Sequence, residues 1–214
     1  MGLIAYVAPF AVFVALRWLP FPPEWLAPVR VLLVATTILI FSRRALRGRL
    51  ALPIGSILLG AAVLVIWIAP DILWPHYRAS WIFQNPVTGV ARSFLPVRLR
   101  SNVFFIVVRV VESAVCVPIL EELFWRGWLM RWLIHADFES VPLGAYRPAA
   151  FWIVALLFAS EHGPYWDVGL LAGVAYNWWM VRSRSLADCI LAHAVTNALL
   201  AVYVLSANQW QYWL

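Results

Sequence analysis

VVESAVCVPILEELFWRGWLMRWL, residues 110–133, is among the most apolar stretches of the chain, yet it carries Glu112, Glu121, Glu122 and Arg126. Each charged side chain at the centre of a bilayer costs roughly 2.5–3.5 kcal/mol on insertion scales. Such residues persist where they face a bundle interior or a water-filled cavity and have work there. The stretch reads as a membrane helix with a polar purpose.

Composition extends that reading to the whole chain. Its 214 residues are 64% hydrophobic and 12% charged, whereas a soluble domain carries about 25% charged residues. The expected class is an all-α, polytopic membrane bundle of about seven or eight helices. All 16 basic residues are arginine, and many sit in short connections. The net charge of +6 is therefore a loop bias of the positive-inside kind; the bilayer is the expected partner and nucleic acid is not.

Working outward, helical windows give seven apolar segments. They are 3–19, closed by Pro20, Pro22 and Pro23; 26–41; 51–68, ended by Pro70; a long fourth from Ser101-Asn102 to about Ile134; 149–162, stopped by Gly163-Pro164; 166–181; and 186–205. The first lacks a basic run before it and reads as a retained span, not a cleaved leader. Residues 71–100 are too polar to span and are expected to lie along the membrane surface. The organisation expected is residues 1–100 as N-terminal helices plus an interfacial segment, and residues 101–214 as a helical core.

Local signals refine these elements. Asn102 is a good N-cap for the fourth helix. Pro118 removes a backbone donor there and should kink the helix just before Glu121. Ser185 with Asp188 reads as a capping box. Gly169 and Gly173 form a GxxxG pair suited to close helix packing. Cys116 and Cys189 fall in apolar runs and should pack. Trp18, Trp25, Trp74, Trp81, Trp210 and Trp213 fall near span ends, as an interfacial belt would; Trp125, Trp128, Trp132, Trp178 and Trp179 should pack. Arg43, Arg44, Arg47, Arg49, Arg131, Arg147, Arg182 and Arg184 fall at one end of the bundle, which places the N-terminus in the cytoplasm.

Arg109 and Glu112, at i and i+3, pair with each other. Three polar clusters then remain inside apolar helices: Glu121, Glu122 and Arg126; His162 beside Glu161; and His193 with Asn197. Glu122 and Arg126, at i and i+4, share a face and form an ion pair. Glu121 is turned about 100° away and stays uncommitted. Phe158 stands one turn before His162, where its ring braces the imidazole. Counted from helix ends, the three clusters lie at comparable depth.

The chemistry that fits is hydrolysis: a carboxylate as general base on water, an imidazole sharing the proton, an amide donating to an oxyanion. A Zn²⁺ held by His162, His193 and Glu121 would also serve, so the cofactor stays open between zinc and none. A proton-coupled transporter and a purely structural polar network stay open too. No HExxH, glycine-x-serine or Gly-Asp motif is present.

EELFWRG, FASEH and HAVTN resemble, in this order, the EExxxR, FxxxH and HxxxN motifs of the CPBP intramembrane proteases, also called the ABI or CAAX-protease-like family. The resemblance covers residues 101–205 and implies a CPBP-type catalytic core over residues 101–214, built from the last four helices. It implies an intramembrane endopeptidase acting on a membrane-associated peptide or protein tail. In it Glu121 activates water with help from His162, His193 and Asn197 stabilise the oxyanion, and Glu122 and Arg126 support the site. VPILEELFWRG and ADFESVPLGAYRP are similar to the bacterial branch of CAAX prenyl protease-related proteins associated with exosortase sorting. That implies a bacterial inner-membrane location and exosortase-system partners. A non-catalytic binding or immunity-type protein on the same fold is the alternative.

Overall fold

The computed structural model describes residues 2–213. Seven long helices account for most of them: α1 (Ile4–Arg17), α2 (Pro23–Ser42), α3 (Pro53–Leu73), α4 (Val103–Trp132), α5 (Pro148–Ser160), α6 (Trp166–Ser183) and α7 (Leu186–Ala207). The protein is an all-α polytopic bundle. By length and composition α2, α3, α4 and α7 are each able to cross a membrane, while α1 and α5 are apolar but shorter.

Boundaries follow local chemistry. Asn102 caps α4 by accepting from the Phe105 N–H at 3.0 Å, as expected. Pro70 does not end the third segment: α3 runs on to Leu73, and the Pro70 carbonyl accepts from the Trp74 N–H at 3.0 Å. A proline near the C-terminal end removes only one ladder bond. The capping box at Ser185 is only half formed. Ser185 accepts from the Asp188 N–H at 3.2 Å, but Asp188 turns away to α3. Its carboxylate accepts from the backbone N–H of Ala51 (2.7 Å) and Leu52 (3.0 Å) and from the Ser56 hydroxyl (2.8 Å). One acidic side chain thus welds the start of α7 to the otherwise unsatisfied start of α3.

Pro118 sits beside a change of helical register in α4. The turn before it, Glu112–Cys116, is π-helical, and the Val117 N–H reaches back to the Glu112 carbonyl. A second π-helical stretch, Leu123–Leu129, follows the two glutamates. Single π-turns inside helices accommodate such disruptions and recur at functional sites.

α5 has 13 residues, or about 20 Å, against about 30 Å of hydrocarbon. Its C-terminal turn therefore falls within the depth of the bundle, where backbone polar groups need cover. Residues 71–100 supply it, and so are more than a strip along the surface. Arg78, only 5% exposed, donates to the Pro164 carbonyl and the Asp167 carboxylate, both at 2.7 Å, and pairs with Asp71. Trp166 donates its indole N–H to the Ile82 carbonyl at 3.1 Å. Gly163, at φ +52°, sits so close to Thr88 that a Cβ would stand 2.7 Å from its carbonyl oxygen.

Other expectations divide. Cys116 and Cys189 are buried. Trp18, Trp25, Trp74 and Trp81 are exposed, but Trp210 and Trp213 are buried against Tyr165 and Tyr212 instead of standing in a belt. Trp125 and Trp179 pack, whereas Trp132 and Trp178 are half exposed on the outer face. Arg131 is not a free loop cation: it is buried and donates to the carbonyls of Gly127 and Val141, both at 2.8 Å.

Replacing Asp188 with Ala should cost about 2–4 kcal/mol, because three donors at and just before the start of α3 lose a charged acceptor at once. Thermal melting of the purified protein in detergent checks this; a melting temperature equal to the parent's would refute the weld.

Candidate active site

The site begins with Arg126, which has no exposed surface. A guanidinium in that position must find acceptors for its N–H groups. Nη1 donates to Glu122 Oε1 at 3.0 Å, Nε to Asn177 Oδ1 at 2.9 Å, and Nη2 to the Gly173 carbonyl at 3.2 Å. The plane of the head lies over the Phe158 ring, 4.7 Å from its centroid. Asn177 in turn donates to the Phe151 carbonyl at 2.8 Å. One cation thereby ties α4, α5 and α6 together.

Glu122 carries the tie into α7. The oxygen that accepts from Arg126 also meets His193 Nδ1 at 2.9 Å. Nδ1 is consequently the protonated nitrogen, and Nε2 is left for the other side of the ring. Tyr176 stacks on that ring at 5.0 Å and 23°. The Tyr176 hydroxyl donates to Thr196 at 2.8 Å, and Thr196 bonds the Gly60 carbonyl of α3 at 2.9 Å. His193 is thus oriented by a carboxylate behind it and an aromatic plane beside it.

His162 is set by its own helix end. Its Nδ1 lies 2.7 Å from the Phe158 carbonyl, which fixes Nδ1 as the donor and leaves Nε2 as the lone-pair nitrogen. The Phe158 ring braces the imidazole, with centroids 4.7 Å apart, and Trp67 of α3 meets it edge-on at 5.1 Å. The GxxxG pair has a role beyond packing. A Cβ on Gly169 would sit 3.2 Å from His162 Cβ, Cγ and Nδ1, and one on Gly173 would sit 3.1 Å from the Ala155 carbonyl. The two glycines let α6 press close enough to seat the histidine and to present a carbonyl to Arg126.

Glu121 is the exception to this network. It is 9% exposed, and its Oε2 has no hydrogen-bond partner among the described residues. It lines a cavity of about 260 Å³ together with His162, His193 and Asn197. Helices α4 and α7 and the turn after α5 therefore bring acid, imidazole and amide to one void, His162 standing two residues past the end of α5, and the expected split holds, with Glu122 paired and Glu121 not.

Asn197 has a structural bond as well. Its amide donates to the Ser113 carbonyl at 2.7 Å. In the π-helical register the backbone donor for that carbonyl would come from residue 118, which is proline and has none. The amide replaces the missing donor, and its second N–H remains.

Arg109 and Glu112 pair at 2.7 Å as expected, but Arg30 of α2 joins them on the same carboxylate. Among the described residues no group of three or more His, Cys, Asp or Glu side chains is close enough to hold a metal ion. His162, His193 and Glu121 share the cavity without forming a zinc-type shell, so the residues present do not fit that group. Asn177, Tyr176 and Thr196 escaped the sequence analysis, which singled out charges, histidines, Asn197 and Phe158. The signal for Asn177 was an amide in the middle of an apolar helix.

Residues 100–199, just under half of the chain, match the family described as Rce1-like, Type II CAAX prenyl endopeptidase Rce1-like. The match contains all seven residues of the three motifs. It supports, at family level, a CAAX-protease-like intramembrane protease. No curated protein and no solved structure matches the chain.

If Asn197 stands in for the donor that Pro118 lacks, the two positions are coupled. Asn197→Ala should destabilise the protein by about 1 kcal/mol more in the parent than in a Pro118→Ala background. A double-mutant cycle read by denaturation measures this, and zero coupling contradicts the assignment.

Proposed function

We propose that the protein is an intramembrane endopeptidase that hydrolyses a peptide bond of a membrane-associated substrate by a glutamate-activated water. One observation carries the reading: an unpaired carboxylate, an imidazole with its lone-pair nitrogen free and a second, carboxylate-backed imidazole all line one cavity inside an apolar bundle. Burial of an unpaired acid has no structural benefit to offset its cost.

The roles follow from the hydrogen bonds. Glu121 takes a proton from water, and His162 Nε2 accepts the other water hydrogen bond and orients the nucleophile. The hydroxide oxygen bonds to the carbonyl carbon, and the carbonyl oxygen becomes an oxyanion. The second N–H of Asn197 stabilises it, and His193, its Nδ1–H already committed to Glu122, joins in the state in which Nε2 also carries a proton. The C–N bond then breaks as Glu121 returns its proton to the leaving amine, yielding a carboxylate and a free amine. Arg126 and Glu122 touch no reacting atom; they hold His193 in place.

Two finer statements belong to the same reading. The likeness of VPILEELFWRG and ADFESVPLGAYRP to the exosortase-associated branch supports a bacterial inner-membrane location and a substrate that is a sorted protein's tail. The arginines in the α2–α3, α5 and α6–α7 connections favour a cytoplasmic N-terminus. A non-catalytic binding role predicts the opposite behaviour of the acid.

Glu121→Gln is nearly isosteric, so the protein should fold and insert while hydrolysis falls at least about 100-fold. His162→Ala should behave alike. The test follows processing of peptides in liposomes by mass spectrometry, with melting curves as the folding control. Turnover undiminished in a folded Glu121→Gln protein sinks the catalytic assignment and favours the binding role.

A further inference from the structure

The cavity has a second polar end that the hydrolytic reading does not use. Glu112 is 2% exposed and held by two guanidiniums. Arg30 grips both carboxylate oxygens, through Nε and, at 2.9 Å, Nη2, while Arg109 Nη1 donates at 2.7 Å. One carboxylate between two cations leaves one positive charge in excess. Arg30 Nη1 and Arg109 Nε and Nη2 have no hydrogen-bond partner among the described residues and are not sealed away. Arg30 and Arg109 retain 14% and 19% side-chain exposure and line the same cavity as Glu121 and His162.

Two aromatic rings wall this end and give each cation a partial partner that accepts none of its in-plane N–H bonds. Phe13 lies 5.6 Å from the Arg30 head and Trp213 lies 5.6 Å from the Arg109 head. The remaining charged side chains of the cavity are Arg17, Glu121 and Glu161. Glu121 cannot reach back to neutralise the pair. It is nine residues beyond Glu112 on α4, roughly 13 Å along the axis. Glu161 adjoins His162 at the other end. Guanidinium forks left open in a low-polarity wall are matched by a planar carboxylate.

We propose that Arg30 and Arg109 form a subsite for a carboxylate of the peptide substrate, placed about four residues of extended chain from the bond cleaved. This rests on the hydrolytic reading of the same cavity. The carboxylate comes either from the substrate's C-terminus or from an Asp or Glu side chain. Glu112 is then a positioning residue, keeping the two forks aimed inward. In a purely structural role the three residues would only tie α2 to α4, and substrate charge would be irrelevant.

The experiment uses the full chain in liposomes and a diverse set of membrane-partitioning peptides made in three matched forms: free acid, C-terminal amide, and Asp/Glu replaced by Asn/Gln. Cleavage is quantified by mass spectrometry. The parent should cleave acid forms about tenfold more efficiently than the matched neutral form, through KM. The neutral form that loses cleavage identifies the source of the carboxylate. Arg109→Gln and Arg30→Gln should bring the acid-to-neutral ratio towards one, and Arg109→Lys should keep part of it. A parent ratio of one, or a ratio unchanged in folded Gln variants, overturns the subsite while the protease reading stands. If the Gln variants do not fold, the parent ratio and Arg109→Lys decide: a parent ratio of one, or a ratio left wholly unchanged by Arg109→Lys, overturns the subsite. Parent cleavage no faster than Glu121→Gln for every peptide overturns the protease reading and the subsite with it.

Discussion

The whole arrangement hangs on a fully buried ion pair between Glu122 and Arg126. Taking two charges out of water costs several kcal/mol each, and the pair alone does not recover that. The structure adds further partners: the Asn177 amide oxygen and the Gly173 carbonyl accept from Arg126, and the His193 ring donates to Glu122. Each belongs to a different turn of α6 or to α7, so satisfying the guanidinium requires those helices to be in one register. Removing any partner would leave a charge stranded in a dry interior. The pair is therefore better understood as a specifier of geometry than as a net source of stability.

That geometry works because α5 is short. A helix of 13 residues ends part-way through the bundle and delivers His162 from above to the level of Glu121 and His193. The exposed turn that results would be untenable in hydrocarbon, since its carbonyls have no water. Arg78 answers the Pro164 carbonyl, and Asp71 and Asp167 answer Arg78. The irregular segment 71–100 is thus part of the site's architecture. Its place in the chain, before the three motifs, means that the family-matched residues 100–199 are held in shape by what precedes them.

The parts of this picture that were legible in the sequence are the ones governed by periodicity and charge. Seven helices, the Asn102 cap, the Glu122–Arg126 face and the unpaired Glu121 all follow from spacing along one helix. The parts that were not legible depend on which helices touch. Nothing in Ser185-x-x-Asp188 says that the acid will leave its own helix for Ala51 and Leu52. Nothing in a lone arginine at position 30 says that it will share Glu112 with Arg109. Trp210 and Trp213 looked like belt residues because burial by a neighbouring loop has no local signature. Asn197 was readable as a polar donor, but its bond to Ser113 emerges only when the π-turn and Pro118 are considered together.

The adjacency of Glu121 and Glu122 has a physical logic of its own. Two consecutive helical residues point about 100° apart, so a single turn can aim one carboxylate into packing and the other into a void. The packed one is held by Arg126 and His193, which meet on a single oxygen, Oε1, and fix the side chain between α4, α6 and α7. Its rigidity sets the rotation of the helix, and the helix rotation sets where Glu121 points. An acid held in place through its neighbour needs no hydrogen bond to stay oriented, and so keeps both oxygens free for a water and a proton. A single glutamate could not combine these states, because every bond that fixed it would also occupy it.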